Sequence, residues 1–129
     1  MDELLAGMRA IAETTRLRLL FVLSHGEFNV SELTQILGQS QPKVSRHLAY
    51  LRRAGVVIAR REGKWMHYSI EHPPDRGAAA ILDATLASFA SDRQMQADLV
   101  QLGKACCRPQ RFVTLQDAPI PVSLVGQAP

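Results

Sequence analysis

Three features of this sequence predict a mostly α-helical domain with one small β-hairpin, of α+β class. Apolar residues recur at helical spacing through the first half of the chain, punctuated by breaks at Gly26 and Gly38. A β-branched run, Val56-Val57-Ile58, and a second extended run, Lys64 to Ile70, flank the turn residues Glu62-Gly63. Beyond Pro73-Pro74 the helical spacing returns and persists to about Leu102. With 129 residues there is room for one compact domain and not for two.

The elements follow in order. Leu4, Leu5, Met8, Ile11 and Ala12 mark an amphipathic helix over roughly residues 2–12. Thr14 or Thr15 can cap a second helix that carries Leu17, Leu20, Phe21 and Leu23 towards Gly26. Asn29 precedes Glu32 by three positions, which is the spacing of a reciprocal cap, and Val30, Leu33, Ile36 and Leu37 supply the inner face of a short third helix that Gly38 ends. Ser40 can cap a fourth helix running to about Ala54. Pro42 sits in its first turn, where a missing N–H costs little, and Val44, Leu48 and Leu51 form its buried stripe. Only Gly38-Gln39-Ser40 separates the third helix from the fourth, a connection short enough to set the two at a steep angle. The hairpin comes next, with Trp65, Met66 and Tyr68 expected to pack as strand residues because they alternate with polar neighbours. One long helix is expected over residues 78–102, with Ile81, Leu82, Thr85, Leu86 and Phe89 on one face. This divides the chain into a folded unit, 1–107, and a proline-bearing tail, 108–129, expected to be mobile.

Composition narrows the function. The acidic start Met1-Asp2-Glu3 does not look like a secretion signal, and no apolar run approaches the ~20 residues that span a bilayer, so a soluble, cytoplasmic protein with no membrane partner is expected. The two cysteines, Cys106 and Cys107, are adjacent and close no long loop, which excludes a disulfide scaffold and leaves reduced thiols. The net charge of +3 says little until it is placed along the chain. From Gln41 to Lys64 there are seven positive residues against one negative, so this segment holds +6 and the remainder −3. Concentrated positive charge suits a polyanion, because each cation set beside a phosphate releases condensed counterions.

A steeply set, capped helix with a basic outer face, followed by a basic hairpin, is the architecture of a winged helix-turn-helix reader of double-stranded DNA. Its first half offers Ser40, Gln41, Lys43, Ser45 and Arg46 to base edges and phosphates, with Arg46 the best single candidate for a base contact. His47 lies on the same helix as a packing or phosphate-contacting residue, and Arg52 lies at its far end. Arg60, Arg61 and Lys64 on the hairpin can hold phosphates, adding affinity more than sequence preference. An enzyme is disfavoured: there is no Gly-rich phosphate loop, no nucleophile elbow and no spaced His and carboxylate cluster. A helical protein-interaction module would explain the apolar stripes but not the +6 segment.

Several strings then resemble the ArsR family of small bacterial repressors. They are Ala12-Glu13-Thr14-Thr15-Arg16-Leu17-Arg18-Leu19-Leu20, Val30-Ser31-Glu32-Leu33, Ser40-Gln41-Pro42-Lys43-Val44-Ser45-Arg46-His47-Leu48 and Leu51-Arg52-Arg53-Ala54-Gly55-Val56-Val57, with Arg61-Glu62-Gly63-Lys64 and Tyr68 as a wing. The likeness covers about residues 4–70 in order. It implies a homodimer formed by the first and last helices, seated on a pseudo-palindromic operator until an effector releases it.

The sequence departs from the family's best-known effector sites. The third helix has no cysteine, and none of His25, His47, His67 and His72 falls within residues 78–102, which argues against thiolate and zinc sites there. No cofactor is required. Cys106 and Cys107 remain as a candidate effector site: two soft donors suit a methylated trivalent arsenical, whereas inorganic arsenite needs a third donor from a second subunit or from solvent. The same pair can sense redox state or be incidental. A further likeness, of residues 1–21 and Gly38 to Pro42, is to the regulatory domains fused to methyltransferases, and implies a metabolite such as S-adenosylhomocysteine as the alternative effector.

Overall fold

The computed structural model describes residues 1–106. Its elements are α1 (Asp2–Ile11), α2 (Thr14–Leu23), β1 (Phe28–Asn29), α3 (Val30–Leu37), α4 (Gln41–Arg53), β2 (Val57–Glu62), β3 (Trp65–Ile70), α5 (Arg76–Ser88) and α6 (Arg93–Cys106). The expected 108–129 tail lies outside the described residues.

The centre of the fold is α2. Thr15 and every residue from Leu17 to Leu23 are buried, so this helix has almost no solvent face and its apolar residues surround it instead of forming a stripe. Its cap is Glu13, whose carboxylate accepts the Arg16 N–H at 2.9 Å, in place of the threonines expected from sequence. Leu19, Leu20 and Val22 join Leu33, Ile36, Val44, Leu48, Leu51 and Val56 in the main core.

The helix-turn-helix forms as its local signals require. Asn29 accepts the Glu32 N–H at 2.8 Å while the Glu32 carboxylate accepts the Asn29 N–H at 3.0 Å, closing both ends of a capping box. Gly38 ends α3 with φ of 66°, a left-handed conformation in which a Cβ is disfavoured. Ser40 then caps α4 through the Lys43 N–H, and Val44, Leu48 and Leu51 are wholly buried.

The wing is one strand larger than the expected hairpin. β2 and β3 pair in antiparallel register from Val57↔Ile70 to Glu62↔Trp65, and Gly63 turns the chain with φ of 62°. Phe28 and Asn29 add β1 to the other edge of β3, giving the order β1-β3-β2. Two residues are too few to show an alternating pattern, which is why β1 had no sequence signal.

The expected long helix is two helices. α5 ends at Ser88 and α6 begins at Arg93, with the Asp92 carboxylate accepting N–H groups from Gln94 at 2.9 Å and Met95 at 3.3 Å. The apolar spacing lapses over the polar run Ser91 to Gln94 and resumes at Met95, so Asp92 stands in the sequence as a cap signal that the expectation of one continuous helix passes over. The two helices go to different places: α5 lies beside α1, and α6 packs on α2 and α3. It is therefore the first half of the expected terminal helix that accompanies α1. Met95, with Leu17 and Phe21, forms a second small core under α6. No helix among the described residues is long and apolar enough to cross a membrane.

Candidate nucleic-acid interface

The buried stripe of α4 turns its opposite side outward, so Ser40, Gln41, Ser45, Arg46 and Arg52 are exposed and Lys43 is half-buried beside them. Among the described residues, Lys43, Arg46 and Arg52 have no carboxylate within ion-pair distance. The helix contains no acidic residue, and its N-terminal half presents side chains that can donate hydrogen bonds to purine edges and phosphates. Arg46 combines exposure, a two-pronged donor and a place in that half.

His47 faces the other way. Its Nδ1 lies 3.5 Å from Arg16 Nη1 and 3.8 Å from the Glu13 carboxylate, and only 14% of its side chain is exposed. Burial, with the neighbouring charges of Arg16, Arg46 and Lys43, holds this imidazole below its ordinary value against the opposing pull of Glu13. The Arg16 guanidinium donates to the carbonyls of Ala10 and Arg9 and stacks 4.0 Å from the Tyr50 ring centroid. Glu13, Arg16, His47 and Tyr50 thus form a joint between the start of α2 and the reader helix α4.

On the wing, the three expected phosphate-holding residues part company. Arg60 forms a fork with Glu27, Nη2 to Oε1 at 2.7 Å and Nε to Oε2 at 3.1 Å, and lies 3.7 Å from Glu62. Arg61 donates to the Gly63 carbonyl at 3.2 Å, bracing the turn. Lys64 is exposed and, among the described residues, has no ion-pair partner.

Trp65 is the residue that sequence reasoning misplaced. Met66 and Tyr68 are half-buried as expected, but Trp65 is 48% exposed, because it opens β3 at the hairpin tip where there is no core to cover it. With Lys64 it forms one side of an open cleft whose other side is Ser31, Thr34 and Gln41, at the starts of α3 and α4. The cleft therefore joins wing and reader helix on one face of the molecule.

Of the candidate effector residues, Cys106 is the last residue of α6 and Cys107 lies outside the described residues. Among the described residues, no group of three or more His, Cys, Asp or Glu side chains is placed to hold a metal ion. His25 stacks edge-on against Phe21, His72 pairs with Asp83 at 2.9 Å, and His67 lies 3.3 Å from Glu62 in the sheet.

Residues 13–59, from the cap of α2 to the second strand, match the family described as "Bacterial regulatory protein, arsR family". The chain is 39% identical over 100 residues to the arsenical resistance operon repressor of Escherichia coli, an alignment covering 77% of this chain and 84% of that one. The transcriptional repressor BigR of Xylella fastidiosa superposes with a TM-score of 0.61 at 32% identity, covering 71% of this chain and 88% of that one. The homodimeric winged helix-turn-helix domain of Mb0332 from Mycobacterium bovis superposes with a TM-score of 0.57 at 27% identity, covering 74% and 83%. With the capped reader helix, the basic wing and these relatives together, the chain belongs to the arsR family of bacterial regulatory proteins, and it is a DNA-binding transcriptional regulator, not an enzyme.

Proposed function

We propose that this regulator binds operator DNA as a homodimer, reads bases with the first half of α4, and is released by a trivalent arsenical held by Cys106 and Cys107. The observation that carries the reading is the outward face of α4, where Arg46 is exposed without an acidic partner among the described residues while the opposite stripe is fully buried. Ser40, Gln41, Lys43 and Ser45 surround it, Arg52 holds the distal phosphates, and Lys64 with Trp65 holds the strand that enters the cleft. Arg60, Arg61 and His47 contribute at one remove, through the shape of the wing and the seating of α4.

Dimerisation is supported by the apolar residues left uncovered beside the α1–α5 contact. Leu5, Met8 and Phe89 are 39%, 43% and 41% exposed, and Leu4, Ile11 and Ile81 are only half-buried. A second copy related by a two-fold axis would cover both faces at once.

The effector assignment rests on donor chemistry and on a relative whose name ties it to arsenical resistance. The chain's two thiols are its only cysteines. With methylarsonous acid, each thiol gives up a proton and forms one As–S bond, and the two hydroxyl groups leave arsenic as two waters, with no change of oxidation state. A ligand releases DNA only by favouring the conformation that binds DNA less tightly, so DNA must weaken arsenical binding by the same factor.

The test uses the duplex that the wild-type protein selects from a random pool. Binding should quench the emission of Trp65, the single tryptophan, and raise the anisotropy of labelled DNA. Methylarsonous acid, in a phosphine reductant that does not compete as a thiol, should reverse both signals. Cys106→Ser and Cys107→Ser should bind DNA as wild type does and fail to release it, since one thiolate cannot chelate. Normal release by both variants would remove the cysteines from the mechanism.

A further inference from the structure

We propose that the buried Arg18–Asp98 pair is the positioning element of the reader helix, tying α6 to the turn between α3 and α4 so that discrimination among DNA sequences depends on it. The inference rests on the DNA reading given above and adds to it a part of the molecule that never reaches DNA.

Arg18 projects from α2 and Asp98 from α6, and they are 8% and 1% exposed. The guanidinium grips the carboxylate as a fork, Nε to Oδ2 and Nη2 to Oδ1, both at 2.9 Å. The same Nη2 donates to the Leu37 carbonyl at 2.9 Å, and Gln94 adds a donor to Asp98 Oδ1 at 3.0 Å. Leu37 is the last residue of α3. The final carbonyls of a helix have no partner within it, and a cation there also complements the helix dipole. Arg18 therefore holds the end of α3 at the point where Gly38 turns the chain into α4, and Asp98 holds Arg18.

This arrangement is costly in ways that stability alone does not explain. Two charges must leave water, and apolar side chains of similar volume often fill such sites with equal or better stability. What the pair supplies and apolar side chains would not is a fixed distance and direction between α6, α2 and the α3 carbonyl. The reader helix begins four residues beyond Leu37, so a shift of that carbonyl tilts the face carrying Arg46. A displacement of α6 reaches the turn by the same route.

The test replaces the pair by apolar residues, R18M/D98L, in the full chain. Binding to the duplex selected by wild type and to a random duplex is measured by anisotropy, alongside thermal unfolding. Lost stability lowers the active fraction and weakens both complexes alike, so it leaves their ratio unchanged. A mispositioned reader helix changes the ratio. The variant should stay folded and lose about tenfold in the ratio, a size that residues remote from a binding site can carry. Its salt dependence should not change, because no phosphate contact is removed. An unchanged ratio in the folded variant overturns the proposal. Should R18M/D98L fail to fold, Arg18→Lys decides by the same ratio, since an ammonium can pair with Asp98 but lacks the planar fork that also reaches Leu37. A wild-type protein that selects no sequence from the pool would overturn the DNA reading and this inference together.

Discussion

The reader helix and the wing carry similar densities of positive charge and deploy them in opposite ways. On α4 the cations Arg46 and Arg52 stand clear of carboxylates among the described residues, while the helix itself is clamped by three wholly buried side chains, Val44, Leu48 and Leu51. On the wing the scaffold has little core beneath its tip, and its arginines are spent on holding shape: Arg60 on Glu27, Arg61 on the turn carbonyl. One region is rigid with its charges available. The other is shaped by its charges and leaves Lys64 and Trp65 exposed at its tip. Counting cations along the sequence treats the two regions as equivalent, and their geometry does not.

The largest expected effect breaks the rigid side of this comparison. Leu48→Ala removes buried contacts from the centre of the α4 stripe and should cost about 2–5 kcal/mol of stability, measured by denaturant unfolding. A loss well under that range would mean that α4 is not anchored as described. Next, Arg46→Ala should weaken binding to the selected duplex by about 1–3 kcal/mol while leaving random duplex nearly unaffected. Equal losses on the two DNAs would move Arg46 from reading to phosphate holding.

The wing should behave otherwise. Lys64→Ala should weaken selected and random duplexes alike and reduce the salt slope by about 1. Arg60→Ala should do less than Lys64→Ala, because its charge is already answered by Glu27. Glu27→Gln, which releases Arg60, should raise affinity for random DNA and steepen its salt dependence. If Arg60→Ala matches Lys64→Ala, the Glu27 fork does not persist on DNA.

The smallest effect concerns the joint beneath the reader helix. The folded protein keeps His47 neutral to lower pH than the unfolded chain, whose imidazole has the ordinary value of 6.5. Between 6.5 and that lower folded value the unfolded state binds the extra proton, so stability falls as pH falls through this window. Glu13 has a lowered value as well: burial opposes the shift, but the Arg16 and Thr15 N–H groups and nearby positive charge outweigh it. Its share of stability is present above 4.5 and is lost at more acid pH. In His47→Gln the melting temperature should therefore depend less on pH between about 7 and 5, with the slope below 4.5 retained. An unchanged slope in the upper window would show that His47 titrates there as it does in the unfolded chain.

What was legible in the sequence was what is local. The Asn29/Glu32 capping box, the Gly38 stop, the Ser40 cap and the α4 stripe each depend on residues within one or two turns, and each is found where its spacing placed it. That Ser40, Gln41, Ser45, Arg46 and Arg52 share the exposed side of α4 could be read for the same reason, since one helix and its cap carry them all. The features that were missed are long-range or masked. Glu27 meets Arg60 across 33 positions and Arg18 meets Asp98 across 80, and neither pair has a signature in its own neighbourhood. The sequence reading groups Trp65 with Met66 and Tyr68 as a packing residue, but strand alternation puts it on the opposite face from Met66, Tyr68 and Ile70, and it opens β3 at the hairpin tip.

The Asp92 cap has a consequence for how this chain can change. Within one continuous helix, every inserted or deleted residue rotates everything beyond it by about 100° relative to what came before. Had α5 and α6 been a single rod, the face lying beside α1 and the face bearing Asp98 and Met95 would be locked in angular phase. A length change in either would then misalign the other. The break between Ser88 and Arg93 resets that phase, because α6 takes its own start from Asp92. Length variation in this short connection can be absorbed there, so the α1–α5 surface proposed to pair two subunits and the helix that ends in Cys106 are free to diverge on separate schedules.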